Sequence, residues 1–364
     1  MCLQRSEDKE INGGSQYIDF YCSSVGVEDV VTQFSGLLGQ PTGLGLPGQA
    51  LPLKPMWSLE DVFIIVFTVV DDEYKRLFGG PAYFRTSPND QPVFSDAEVI
   101  TLALVAELAG YRSGHGWWRY VAKNYRYLFP RLCDRTRYGR RLKRLRGAME
   151  QVRQHLLFLL NADLSQLRVV DSFPLAVCHL RRLQSSTHPF EYYASRGYCA
   201  AKKEYFYGLR VHLVTDTRGI VVGYVLTPAH VHDTQGVVFL LQDLSQLGPL
   251  LERRVTLRGD KGYVGQELAR QLKAEFRVEL LAMQREYDQT LGQSAYNETI
   301  GQARKIIETT ISVLTGILNA NWTYARSITG LVTNLVAKMT AFTLGNYLNR
   351  LMGEPVLQVA SIVS

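Results

Sequence analysis

The chain has 364 residues, 46% hydrophobic and 20% charged, with a net charge of +6. These values exclude a disordered or fibrous chain, and the basic balance leans towards a polyanionic partner. Its five cysteines (Cys2, Cys22, Cys133, Cys178 and Cys199) are odd in number and form no CxxC pair, which argues against a disulfide framework and fits a reducing cytosol.

At the N-terminus, Arg5, Glu7, Asp8, Lys9 and Glu10 precede any apolar run, unlike a secretory signal. Gly36 to Pro55 is rich in Gly, Pro and Leu, almost uncharged and without a sustained period. Residues 1–55 are therefore expected to be a poorly ordered leader. Val62 to Val70 is far shorter than the roughly 20 apolar residues of a membrane span. It reads as a buried helix, so no membrane partner is expected.

Helical periodicity begins at Ser58, with Leu59, Val62, Phe63, Val66 and Val70 on one face and a stop at Gly79-Gly80-Pro81. Ser95-Asp96-Ala97-Glu98 is a capping box opening a second helix that ends at Gly110. A third is expected over Trp117–Phe129 and a fourth from about Arg137 to Leu160, so residues 56–162 form an all-helical domain.

A basic run, Arg131–Arg146, leads into and along this fourth helix. Arg131, Arg135, Arg137, Arg140, Arg141, Lys143, Arg144 and Arg146 stand against one acid, Asp134. A solvated face is the ordinary reading of such a run, but solvated faces mix signs. Leu142 and Leu145 are placed on the core side, with Arg140, Arg141, Lys143 and Arg144 opposite. Contact with phosphate is the favoured reading.

After Leu160 the pattern changes to strands: Leu167–Asp171, Phe206–Val214, Ile220–Leu226, Arg254–Gly259 and Val278–Ala282. Asp216-Thr217-Arg218-Gly219 closes a hairpin between the second and third. A helix is expected over Val264–Lys273, and others over about 298–319 and 326–350. The class is α/β, with a mixed five-stranded sheet flanked by helices over residues 163–350 and a tail at 351–364.

Three acids carry the chemistry. Asp171 ends one apolar run, Asp260 ends another ahead of Lys261-Gly262-Tyr263, and Glu308 sits in the helical Arg304-Lys305-Ile306-Ile307-Glu308-Thr309. Each Asp alone is equally a turn former, and Glu308 equally a solvated partner of Arg304. Jointly they occupy strand ends and a later helix, where α/β folds place sites. Two like charges about 4 Å apart cost roughly 4 kcal/mol at an effective dielectric near 20. A bound Mg²⁺ removes that cost, and carboxylate oxygens are its preferred ligands.

Three further features stand beside the trio. Arg181–Tyr207 interleaves Arg196, Lys202 and Lys203 with Tyr192, Tyr193, Tyr198, Tyr205 and Tyr207. The two readings are aromatic stacking on unpaired bases and aromatics tucked onto the sheet. His230, His232 and Asp233 follow the third strand, where Asp233 is either a cap or a neighbour of the acids. Cys178, His179, His188 and Cys199 spell a zinc set, but adjacent ligands on an extended stretch point apart.

Several strings resemble a known family. Val170-Asp171-Ser172-Phe173-Pro174 resembles the first-Asp motif of bacterial insertion-sequence transposases of the DDE type. Ala194 to Lys203 with Tyr205-Phe206-Tyr207-Gly208, Gly259 to Tyr263, and Arg304 to Thr309 resemble the IS982 group in particular. So do Arg140-Arg141-Leu142 and Ala341 to Leu348, and the resemblance covers roughly residues 57–350.

The resemblance implies a ribonuclease-H-like core preceded by a DNA-binding helical domain. It also implies DNA strand cleavage and transfer by a triad of Asp171, Asp260 and Glu308 holding two Mg²⁺ or Mn²⁺ ions. Expected DNA contacts are Arg137, Arg140, Arg141, Lys143, Arg144, Arg196, Lys202, Lys203, Lys261 and Arg304. Expected partners are the terminal inverted repeats of a mobile element and target DNA, engaged by a homodimer in the bacterial cytoplasm at the nucleoid. Gly301 and Thr315 stand where related transposases often carry Tyr and Lys. A nuclease without strand transfer, and a catalytically silent DNA-binding regulator, are the alternatives.

Overall fold

The computed structural model describes residues 57–79, 92–162, 165–180, 189–200, 202–245, 255–282 and 293–362. The expected leader, Arg181, Arg182 and His188 lie outside them.

The helical stretch begins with α1 (Leu59–Phe78) and α2 (Asp96–Leu108), each opened by a reciprocal capping box, Ser58 with Asp61 and Ser95 with Glu98. Gly79, at φ 70°, stops α1 where a side chain would be strained. The third helix, α3, is Gly114–Asn124 rather than 117–129, because Ser113 caps it by accepting from the Gly116 N–H.

The expected fourth helix is two, α4 (Arg135–Arg144) and α5 (Arg146–Leu159), joined at Leu145, which leaves helical ψ. The bend turns Tyr138 and Arg141 onto α2 while Met149, Val152 and Leu156 bury against the rest of the core. One straight helix would not bury both sets.

The sheet has six strands among the described residues, one more than expected. β1 (Leu167–Cys178) is central. It runs antiparallel to β3 (Glu204–Thr215) on one side and parallel to β5 (Val255–Gly259) on the other. β4 (Val221–Pro228) pairs with the second half of β3, and β6 (Val278–Ala282) continues the parallel side. The added strand, β2 (Ser195–Cys199), pairs with the first half of β3, on the edge that β4 occupies further along. Setting β2 aside, the order β4-β3-β1-β5-β6 is the ribonuclease-H-like arrangement, with three antiparallel strands followed by two parallel ones.

Helices cover both faces. α6 (Asp233–Ser245), which the sequence pattern did not reveal, and α7 (Gln266–Phe276) cover one. α8 (Gln293–Ser312), continued by a π turn at Val313–Ile317, covers the other with α9 (Ile328–Leu351). α9 is long and apolar enough to cross a membrane, but 72% of its most apolar window is buried, packed on α2 and α5. One hydrophobic cluster runs from Val62 on α1 through β1 and β3 to Ile362, so helical stretch and sheet share a core.

Candidate active site

The register of the sheet builds the site. Val169 on β1 pairs with Arg258 on β5. Two residues further along each strand stand Asp171 and Asp260, beyond the last paired position. Side chains alternate along a strand, so both leave the sheet on the same face. That face is the one packed by Ala303 and Ile307 of α8. One residue beyond each of these, α8 carries Arg304 and Glu308, joined by Nε to Oε1 at 2.7 Å.

Asp171 is partly buried and accepts the Ser172 N–H at 2.7 Å. Its carboxyl is pushed up to about 7, chiefly by burial and then by the charges of Asp260 and Asp233. The Ser172 N–H and Arg304 oppose the rise. Asp260 accepts the Gly262 N–H at 2.7 Å and caps the short turn Lys261–Tyr263. A Cβ at Gly262 would lie 2.9 Å from Asp260 Oδ1 and 3.8 Å from Asp233 Oδ2, so that residue is hemmed by both acids.

Asp233 is the first residue of α6 and the centre of a polar network on the opposite face. It accepts from Ser172 Oγ at 2.7 Å and from Arg210 Nη1 at 3.1 Å. Its Oδ1 lies 3.6 Å from His212 Nδ1. The β1–β3 register pairs Ser172 with His212, which puts these side chains on one side of the sheet.

His212 is fully buried, contacts Thr227 Oγ1 through Nε2 at 2.9 Å, and is lowered to about 4, chiefly by burial. It is therefore a neutral imidazole. A Cβ at Gly236 would stand 2.2–2.5 Å from that ring, so α6 can seat on it only through a glycine. Tyr263 is buried with its hydroxyl unpartnered, and its phenol is raised by burial and by Asp233, Asp171 and Asp260.

Three carboxylates thus meet at the sheet end: Asp171, Asp260 and Asp233. Glu308 is exposed on α8, with its carboxylate turned to Arg304. The sequence left Asp233 between cap and neighbour of the acids; it stands in the first turn of α6, where His232 accepts the Thr234 N–H, and its own carboxylate faces Ser172 and Arg210 beside Asp171 and Asp260. Sequence reasoning missed Arg210, His212 and Tyr263. The signal was there for two of them, since Arg210 and His212 put polar side chains on a strand face that is otherwise apolar and covered.

Among the described residues, no three His, Cys, Asp or Glu side chains stand as they are in position to hold a metal ion. The chemistry of the donors nevertheless suits one. Asp171 and Asp260 are hard oxygen donors on one face, and no cation among the described residues forms an ion pair with either. Glu308 would join them by exchanging Arg304. Cys178 and Cys199 form no disulfide among the described residues, and His179 packs on Trp322 with ring centroids 5.0 Å apart.

Of the expected DNA contacts, Arg137, Arg140, Lys143 and Arg144 are exposed on α4, as are Arg196, Lys202, Lys203 and Lys261 elsewhere. Arg141 is a correction. It is buried, donates to Phe94 O and pairs with Asp96 at 2.5 Å, so it is a structural cation that no DNA can reach. The α4 turn that buries Tyr138 carries Arg141 inward with it.

A family model described as "Transposase DDE domain" matches residues 163–344. The cryo-EM structure of a piggyBac transposase synaptic complex with hairpin DNA aligns with TM-score 0.42 and 11% identity, covering 85% of this chain and 79% of that one. The crystal structure of the Mos1 strand transfer complex aligns with TM-score 0.19 and 12% identity, covering 70% and 96%. Likenesses at these scores carry no weight for fold or function. No curated protein matches the chain.

Proposed function

The chain belongs to the transposase DDE-domain family, and from that premise we propose that it cleaves and transfers DNA strands at the ends of an insertion sequence of the IS982 group. The observation that carries this reading is the in-register pair Asp171 and Asp260 beneath the helix that bears Glu308.

Asp171, Asp260 and Glu308 would hold two Mg²⁺ or Mn²⁺ ions. Such ions, when bound, stabilise the attacking and leaving oxygens of phosphoryl transfer. The chain's own residues do the rest. Asp171, whose carboxyl burial pushes up to about 7, would hold the ions as the carboxylate. Asp233 stays fixed by Ser172 and Arg210. Arg304, once freed from Glu308, would meet a phosphate beside the acids, and Lys261 is exposed at the turn that follows Asp260. Arg137, Arg140, Lys143 and Arg144 bind the DNA backbone without reading sequence. Working on two element ends calls for a homodimer, in the cytoplasm at the nucleoid.

The test uses duplexes carrying the inverted repeats that flank the coding region, incubated with Mg²⁺ and a target plasmid. Cleaved ends joined to target are expected from the wild type. Asp171→Asn, Asp260→Asn and Glu308→Gln should each abolish both products while still shifting the duplex in a gel. Cleavage without joining would replace the reading by a nuclease. Cleavage that survives Asp260→Asn would refute the acidic pair as its centre.

A further inference from the structure

Beside the acidic end of the sheet lies a cavity of about 650 Å³ between β2, the start of β3 and the loop from Pro228 to Asp233. Its rim holds Tyr198 and Tyr205, exposed by 46% and 68%, with ring centroids 5.0 Å apart and planes tilted by 56°. They are a cross-strand pair on β2 and β3. Large aromatic faces left this open do not serve the core. Arg196 adds an exposed cation, and His230 and His232 add polar edges on the loop side.

The cavity is held in shape from below. A Cβ at Gly197 would lie 2.7 Å from Ala229 O, so strand and loop touch there. Ser195 Oγ accepts the His230 N–H at 2.9 Å. Arg210 joins cavity and acids through one side chain, donating to Tyr198 O at 3.3 Å and to Asp233 Oδ1 at 3.1 Å.

We infer that this cavity seats a single unpaired nucleotide of the DNA strand being processed, its base against Tyr198 and Tyr205 and its phosphate at Arg196. The inference rests on the DNA reading above and adds a substrate feature to it. A base offers its face to an aromatic ring only when it has left the duplex stack, and such stacking tolerates any sequence. Taking a base out of the stack costs a few kcal/mol, least where it is already unpaired. The site should therefore favour distorted or unpaired DNA over an intact duplex. Arg210 would then couple seating of that nucleotide to the placement of Asp233 and, through it, of the acids.

The experiment compares a duplex holding one bulged 2-aminopurine with the same duplex fully paired, in buffer without divalent metal so that nothing is cut. The wild type is expected to bind the bulged duplex at least about fivefold more tightly, the lower end for one base–aromatic stack, and to quench its fluorescence. Tyr198→Ala/Tyr205→Ala should lose both preference and quenching while binding the paired duplex as before. Tyr198→Phe/Tyr205→Phe should keep them. An absent preference in the wild type, or one that survives the double alanine change, overturns the inference and leaves the DNA reading standing. Failure to bind either duplex overturns both. Should the double alanine chain fold poorly, 5-iodouracil at the bulge decides the matter in the wild type. Photo-crosslinks to Tyr198 or Tyr205 support the seat, and crosslinks only elsewhere refute it.

Discussion

Acids in the helical stretch and acids at the sheet end are treated in opposite ways. Asp96 is paired with Arg141, Glu150 with Arg153 and Glu107 with Lys338, each at 2.5 Å. Arg153 also donates to Val221 O at 3.1 Å, and Tyr224 donates to Glu150 at 2.8 Å, so that pair stitches α5 to β4. At the sheet end, no cation among the described residues pairs with Asp171 or Asp260, and Asp171 is pushed up to about 7. These two acids are met by backbone N–H groups, from Ser172 and Gly262, where the helical acids are met by cations. The helical acids are structural, while Asp171 and Asp260 are the acids that the proposed metal ions would match.

The largest effect should come from breaking the matched side. Arg141→Ala leaves Asp96 buried with Tyr74 as its remaining side-chain donor among the described residues, and urea unfolding should register a loss of about 3–5 kcal/mol. Arg140→Ala, one residue away and exposed, should change stability by less than about 0.5 kcal/mol. Equal losses for the two would erase the distinction.

The unmatched side should respond with the opposite sign. Asp171 holds its proton to about pH 7 in the folded chain, against an ordinary value of 3.8. Between those limits the folded state binds more protons than the unfolded one, so stability falls as pH rises and levels off above 7. Asp171→Asn removes the penalty. The metal-free variant should melt a few degrees above the wild type at pH 8, with the gap closing as pH falls towards 4. A lower melting temperature at pH 8 would mean that the carboxylate is matched after all.

What the sequence conveyed and what it hid follow the same division. Period, caps and strand ends are local, so α1, α2, β4, β6 and the place of Asp260 just past β5 were legible, whereas Asp171, expected to end its strand, lies inside β1, which runs on to Cys178 along β3. α6 was not, because Gly236 and the β-branched Val237-Val238 depress helix propensity, and Gly236 is there for the His212 ring. Arg141 was read with its basic neighbours, since its partner Asp96 lies 45 positions away and no local pattern reports it. The β2 strand was hidden by its length of five residues and its lack of apolar alternation. Asp233 gained its role only once β1 and β3 were in register.

A smaller effect sharpens the comparison on the surface. Arg137, Arg140, Lys143 and Arg144 remain as the exposed basic face of α4 once Arg141 is set aside. Neutralising Arg140, Lys143 and Arg144 should weaken binding to all duplexes alike. The slope of log K against log salt should fall by about 0.9 for each phosphate that the protein no longer neutralises. Arg141→Lys, tested alongside, should leave the slope unchanged. A slope unmoved by the triple change would make α4 a solvated face.

The central claim is that the acids at the sheet end are unmatched because they hold divalent cations. Titrating the metal-free chain with Mn²⁺ in a calorimeter, at pH 7 in buffers of different ionisation enthalpy, tests it most directly. The account predicts binding with proton release from Asp171 in the wild type, binding without that release in Asp171→Asn if any remains, and none in Asp260→Asn. Mn²⁺ binding that is unchanged in Asp260→Asn would contradict it.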